Sequence, residues 1–205
     1  MICQAMRAFG LGLLIISVVG AWGAGQPAPI TVVAIDAGHG GDDTGGIGVD
    51  NLSEKDIVLQ IAHLISLEAV SFPHIKIILT RPDDRYLSPQ ERIANAQGAH
   101  IFISLHLDFS YDPWMHGITL LMPTNASQAT QALAETLRRR IISMRGLSWG
   151  TKTAPLWLRR LDMPAVQINL GFITNPEEAR KLAHLVYQQR LAHAILEGIN
   201  DFLRF

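Results

Sequence analysis

The feature that most constrains the fold is a series of short apolar runs, rich in β-branched residues, that alternate with helical segments. The first run, residues 30–35 (ITVVAI), is typical of a strand buried on both faces. Further strands are predicted at residues 75–80, 101–106, 117–122 and 165–170, and helices at residues 53–65, 88–97, 127–144 and 177–205. Strands separated by helices predict an α/β fold with a mostly parallel, twisted sheet of about five or six strands and helices on both faces.

Composition narrows the class of protein further. A chain of 205 residues corresponds to one domain, or one domain with a short tail. Because hydrophobic residues make up 48% and charged residues only 17%, the chain is not of the disordered class. The formal charge of −1 provides no basic field for nucleic acid, and nothing in the sequence indicates the oligomeric state.

The N-terminus has the pattern of a secretory signal. Arg7 precedes an apolar stretch at residues 8–20, and small residues, which a signal peptidase requires at its cleavage site, recur at 21–25, although without a clean Ala-x-Ala. A buried helix or an uncleaved membrane anchor is the alternative, but the stretch is short for a membrane span. We therefore expect a signal peptide at residues 1–24 and a single domain at residues 25–205. The mature protein is expected in the periplasm or cell envelope, with no stable membrane span.

Histidine and carboxylate side chains are the candidate metal ligands. The single cysteine, Cys3, excludes a thiolate zinc cage, whereas the chain has eight histidines. The predicted first and third strands end at His39 and His106, and Glu54 lies in the first turn of the first helix. Ligands of parallel sheets gather at the carboxyl ends of strands, and two imidazoles with one carboxylate are the ligands of a catalytic zinc site. The spacing alone also fits an ordinary glycine turn, or a phosphate-binding loop at residues 38–48, although no Gly-Lys-Ser/Thr follows.

The motifs around these residues resemble a known family. Five blocks occur in the family's order: residues 35–45 (IDAGHGGDDTG), 53–56 (SEKD), 79–81 (LTR) with Leu87, Arg92, Ala94 and Asn95, 102–106 (FISLH), and 164–166 (PAV) with 171–178 (GFITNPEE). They resemble the zinc-dependent N-acetylmuramoyl-L-alanine amidases, the amidase_3 family of cell-wall hydrolases. The resemblance implies Zn²⁺ held by His39, Glu54 and His106. It also implies a hydrolase that acts on peptidoglycan, at the amide between N-acetylmuramic acid and L-alanine.

One position departs from the family pattern. Two residues before the glycine of Gly-Phe, where the resemblance implies a glutamate that serves as general base, this chain has Asn169. An amide cannot take up a proton near neutral pH, and loss of a general base typically costs ~10²–10⁴-fold in rate. Asp108 and Asp162 are the candidate substitutes. We expect an enzyme impaired at this step; the alternatives are a weak or inactive peptidoglycan-binding or regulatory module of the same fold, and a zinc peptidase acting on other amides.

Two further features are candidates for substrate contact. Arg81 ends the second strand, where its guanidinium is placed either to hold a peptide carboxylate or to form a structural ion pair with Asp36 or Asp42. The loop at residues 107–116 contains His116, a candidate to line a substrate groove. This loop is too short for the autoinhibitory helical insertion that the resemblance associates with some family members, so gating of that kind is not expected.

Overall fold

The computed structural model describes residues 29–143 and 148–204, which form one six-stranded sheet and five α-helices. The strands are β1 (Thr31–Ala37), β2 (Ile75–Leu79), β3 (Ile101–Asp108), β4 (Ile118–Pro123), β5 (Ser148–Ala154) and β6 (Ala165–Phe172). The helices are α1 (Glu54–Glu68), α2 (Pro89–Asn95), α3 (Gln128–Ser143), α4 (Pro176–Leu182) and α5 (Leu185–Phe202). The predicted signal peptide, residues 1–24, lies outside the described residues.

The sheet is mostly parallel, as predicted. Its strand order is β2-β1-β3-β6-β4-β5, and the first four strands of this order run parallel to one another. β4 pairs antiparallel to β6, and β5 pairs parallel to β4, so the last two strands point the other way. The carboxyl ends of β1, β3 and β6 therefore meet at one edge of the sheet, where polar groups from these strands can converge.

The two faces of the sheet are covered unequally. The three long helices α1, α3 and α5 pack on one face, where residues such as Ile35, Leu105 and Ile168 form the main core. A smaller cluster with Ala34 and Phe102 lies on the other face, beneath α2 and a 3₁₀ turn at Trp157–Arg160. Because side chains alternate along a strand, the residues between those of the main core, which include the site positions on β3 and β6, face the thinner layer.

The strand β5 was not predicted from the sequence. Its sequence, SWGTKTA, contains Gly150 and polar residues, and no residue from Gly150 to Ala154 is buried. Among the strands of residues 29–143 and 148–204, β5 lies at the edge of the sheet and pairs with β4 alone. Such a strand needs no apolar side chains, so the pattern of buried β-branched runs does not detect it.

The closing segment, predicted as helical over residues 177–205, forms the two helices α4 and α5. Asn175 caps α4 because its side-chain oxygen accepts hydrogen bonds from the N–H groups of Glu177 and Glu178. Pro176 occupies the first turn, where its missing N–H is not needed. Among the helices of the described residues, none combines the length and the apolar content needed to cross a membrane.

Candidate metal centre

The three predicted ligands, His39, Glu54 and His106, meet at the carboxyl edge of the sheet. His39 follows β1, Glu54 is the first residue of α1, and His106 lies near the end of β3. The Oε1 atom of Glu54 is 3.1 Å from Nε2 of His39 and 3.0 Å from Nδ1 of His106. Among the described residues they are the group whose ligand atoms, all within 4.8 Å of one another, could hold one metal ion.

The loop after β1 orients the His39 ring. His39 has a φ of 59°, in the left-handed region that a non-glycine residue seldom adopts. Its Nδ1 atom lies 2.9 Å from both carboxylate oxygens of Asp43, four residues later. This contact leaves Nε2 directed toward Glu54, which is the arrangement by which a carboxylate orients a metal-binding histidine.

Two glycines leave room for the ligand side chains. A Cβ atom on Gly38 would lie 2.6 Å from Nε2 and 2.7 Å from Nδ1 of His106. A Cβ atom on Gly45, which has a φ of +63°, would lie 2.7 Å from Oε2 of Glu54 and 2.7 Å from Cδ2 of His39. The ring and the carboxylate can therefore take these positions only because both residues lack a side chain.

Glu54 is buried as a compensated charge. Its side chain accepts hydrogen bonds from the backbone N–H groups of Gly46 and Leu107, both at 2.9 Å, as well as from the two imidazoles. Burial alone favours the protonated acid, but the hydrogen bonds from His106 and His39 outweigh it and hold the pKa of Glu54 far below its usual range. The hydrogen bond to Glu54 in turn raises the pKa of His39 against the opposing effect of burial. Glu54 is thus held in its ionised form, in which its carboxylate can bind a cation.

Arg81 lies beneath the site and not on its surface, which corrects the suggested substrate contact. Its side chain is 0% exposed, and its guanidinium donates hydrogen bonds to the carbonyls of Ala37 (2.8 Å), Gly38 (2.8 Å) and Lys55 (3.0 Å). A side chain that is fully buried and bonded to backbone cannot reach a substrate. The ion pairs between described residues do not include one of Arg81 with Asp36 or Asp42, and Asp36 pairs with Arg92 instead.

Arg92 is a second buried guanidinium under the same loop. It donates to the carbonyls of Ala37 (2.7 Å) and His39 (2.8 Å) and to Oδ1 of Asp36 (2.8 Å). Asp36 is 1% exposed and also accepts hydrogen bonds from the hydroxyls of Thr80 and Ser104, so its charge is fully compensated. Together Arg81 and Arg92 bind the carbonyls of three successive residues, 37–39, which lead into the loop that contains the candidate ligand His39 and is called the ligand loop below.

Asn169 lies beside His106, on the face that the alternation of β6 predicts. The two residues are direct partners across the β3–β6 pair, so their side chains lie on the same side of the sheet. Asn169 is 7% exposed, its Nδ2 donates to Oδ1 of Asp108 (2.6 Å), and its Oδ1 accepts from Nε2 of Gln167 (2.8 Å). The amide is therefore fixed at both ends.

Of the two candidate substitutes for a glutamate at position 169, one lies next to it. Asp108 contacts Asn169 directly, and burial raises the pKa of Asp108 although the hydrogen bond from Asn169 acts in the opposite direction. Asp162 is exposed and precedes β6, at the end of the strand away from the site. Of the two candidates, only Asp108 therefore lies in the candidate site, next to Asn169.

Three residues that support the candidate site were not assigned a role from the sequence. Asp43 orients His39, Arg92 supports the ligand loop, and Glu178 accepts hydrogen bonds from the backbone of Gly117 and Phe172. The spacing of His39 and Asp43 within one tight loop was the available signal for Asp43. The roles of Arg92 and Glu178 depend on contacts between distant segments, for which a single sequence carries no signal.

Comparison with known proteins agrees with the geometry. The family model Amidase_3, described as N-acetylmuramoyl-L-alanine amidase, matches residues 33–201. The chain is 31% identical over 87% of its length to the uncharacterized protein YqiI of Bacillus subtilis, of which it covers 88%. It is also 31% identical to the N-acetylmuramoyl-L-alanine amidase LytC of Bacillus subtilis, but it spans only 37% of that protein. A crystal structure of N-acetylmuramoyl-L-alanine amidase from Clostridium difficile 630 aligns with a TM-score of 0.83 and 31% identity, covering 86% of this chain and 98% of that one.

Proposed function

Because the chain belongs to the Amidase_3 family of N-acetylmuramoyl-L-alanine amidases, we propose that it is a zinc hydrolase that cleaves the amide between N-acetylmuramic acid and L-alanine in peptidoglycan. The observation that carries the proposal is the convergence of His39, Glu54 and His106 on one point at the sheet edge. The relatives and structures with this family's name favour an enzyme over a non-catalytic module of the same fold.

The donor set fits Zn²⁺. Two imidazole nitrogens and one carboxylate oxygen are the ligands of many catalytic zinc sites, which keep a further position open. Asp43 supports His39 from behind, as such sites require. When bound, zinc would supply Lewis acidity that polarises the scissile carbonyl and makes water more acidic. His39 and His106 are both partly exposed, so the ligand atoms face a region that substrate can enter.

Asn169 and its neighbours determine how efficiently the site can accept and donate protons during hydrolysis. Asn169 offers an amide where the family resemblance implies a glutamate, and this amide is already bonded to Asp108 and Gln167. It can hold Asp108 in place by hydrogen bonding, but it cannot accept a proton. We therefore expect hydrolysis that is measurable but slow for an enzyme with these ligands.

We infer that the protein is exported and acts in the periplasm or cell envelope, where its substrate lies. The apolar segment at residues 8–20 supports export through a signal peptide at residues 1–24. Mass determination of the protein recovered from an envelope fraction tests this directly. A mature N-terminus near residue 25 is expected, and an intact Met1 would contradict cleavage.

The function is tested with the zinc-loaded chain and purified peptidoglycan sacculi. Wild-type protein should release stem peptides with a free L-alanine amine, and Glu54→Ala should release none and should not retain zinc after dialysis. Glu135→Ala, which removes a more exposed carboxylate on α3, is the matched control and should behave like wild type. Zinc content is measured independently of activity, so loss of the metal and loss of catalysis can be told apart.

The outcomes separate the classes of function. Binding to sacculi without any release of peptide would contradict an amidase and favour the peptidoglycan-binding or regulatory module. Products that still contain the bond between muramic acid and alanine would identify a zinc peptidase acting on another amide.

A further inference from the structure

The loop between β3 and β4 exposes several aromatic side chains beside the metal centre. Phe109 is 51% exposed, Tyr111 is 97% exposed and Trp114 is 82% exposed. A cluster of exposed aromatic side chains within one short loop is typical of a site that binds a ligand or another macromolecule. None of the three side chains takes part in binding the proposed metal.

The loop continues directly from the candidate site. It follows β3, which contains His106, and a Cβ atom on Gly46 would lie 3.8 Å from Cδ2 of Phe109. The N–H of Gly46 donates to Glu54, so the Phe109 ring lies against the backbone that binds a candidate ligand. The rings of Phe109 and Tyr111 pack edge to face, with centroids 5.4 Å apart, and hold each other in place.

The backbone of the loop is anchored while these side chains remain exposed. The N–H of Ser110 donates to the hydroxyl of Thr174 (3.1 Å), and the Asn175 side chain donates to the carbonyl of Pro113 (2.8 Å). At the end of the loop, the carboxylate of Glu178 accepts from the N–H of Gly117 (2.9 Å). The exposure of the aromatic rings is therefore built into an ordered loop and does not arise from a poorly packed one.

A groove extends from this loop along α4. It has a volume of about 960 Å³, and Trp114 and His116 are among the residues that line it. Charged residues of α4 and α5 also line it: Glu177, Glu178, Arg180, Lys181 and Arg190. Of these, Glu177 and Lys181 form an ion pair at 2.7 Å. Apolar ring faces next to paired polar groups suit a ligand that has both apolar C–H surfaces and many hydroxyl or amide groups.

We propose that Phe109, Tyr111 and Trp114 form a platform for the N-acetylated sugar rings of a peptidoglycan glycan strand, a subsite that rests on the proposed amidase function. A pyranose ring presents C–H groups that pack on an aromatic face, and its hydroxyl and acetamido groups can form hydrogen bonds with the polar residues that line the groove. The stem peptide, which carries free carboxylate and amine groups, is a poorer match for uncharged rings. Residues 108–117 (DFSYDPWMHG) contain no lysine or arginine, but Arg180, Lys181 and Arg190 line the groove, so the test also includes anionic lipid.

The test uses the zinc-loaded full chain and glycan strands from which the stem peptides have been removed. Wild type should bind these strands, and Tyr111→Ala and Trp114→Ala should each weaken binding about 2- to 10-fold. Leu67→Ala, which removes a 72% exposed apolar side chain from α1, is the matched control and should bind like wild type. All three side chains are exposed, so melting temperatures should not change.

Kinetics on two substrates separate this subsite from the proposed function. With a substrate that keeps several sugars, the two aromatic variants should raise KM and leave kcat unchanged, whereas a single muramyl peptide should show no difference. Equal glycan binding by wild type and both variants, with hydrolysis intact, would overturn the platform and leave the amidase function standing. Binding that depends on the aromatic residues, without hydrolysis of either substrate, would support the platform and contradict the amidase. Binding to anionic lipid vesicles in place of glycan would also overturn the platform.

Discussion

Substitution of Asn169 by glutamate is the sharpest test of how this site moves protons. In the wild type the amide nitrogen of Asn169 donates to Asp108 at 2.6 Å. A glutamate there would restore a proton acceptor next to His106, and a positioned general base contributes ~10²–10⁴-fold in rate. We therefore expect Asn169→Glu to raise kcat/KM for peptide release from sacculi within this range.

The neighbouring Asp108 limits the gain from the single substitution. Two carboxylates about 3 Å apart repel by roughly 5 kcal/mol at an effective dielectric constant of about 20. One of them will therefore keep its proton, which reduces the fraction of Asn169→Glu that is an active base. In the double variant Asn169→Glu/Asp108→Asn, the amide at position 108 can donate to the new carboxylate. The double variant should thus be at least as fast as the single one.

The decisive control is Asn169→Gln, which has the length of glutamate but no charge. It should show no gain, because the benefit depends on proton transfer and not on the size of the side chain. Zinc content and melting temperature are recorded for every variant. If the glutamate variants are folded and zinc-loaded but no faster than wild type, or if glutamine helps as much as glutamate, then position 169 is not where a base acts.

Three further predictions concern the support of the site. Arg92→Met leaves the buried carboxylate of Asp36 without its cation and should reduce the free energy of unfolding by about 3–5 kcal/mol in urea titrations. Arg159→Met, which replaces an exposed arginine, is the control and should change this free energy little. Equal effects of the two substitutions would show that the ion pair is unimportant. Gly38→Ala forces the His106 ring to move and should lower zinc affinity at least ~10-fold in competition with a chelator, and unchanged affinity would show that the ring is not a ligand. Removal of zinc should lower the melting temperature of wild type, because a ligand at 100 times its Kd stabilises by about 2.7 kcal/mol, but should leave a Glu54→Ala variant unaffected.

The parts of the fold that the sequence predicts are those in which one local pattern is sufficient. β1 and β3 were predictable because their buried β-branched runs fit a strand covered on both faces, and their ends placed His39 and His106 at one edge. The edge strand β5 has no such pattern. Arg81 was predicted to hold a peptide carboxylate or to form an ion pair because it ends a strand, but the direction of a long side chain is set by the carbonyl groups that surround it in three dimensions. Its true role could not be read from its position in the chain.

The two arginines beneath the ligand loop also determine when the loop loses its freedom. Arg81 and Arg92 bind the carbonyls of Ala37, Gly38 and His39 in the folded protein, through contacts that do not involve the ligand atoms. The entropy lost in ordering the loop is therefore lost when the chain folds and not when it takes up an ion. It follows that a metal can leave and return without refolding of the protein, so a chelated sample should recover its zinc rapidly and completely.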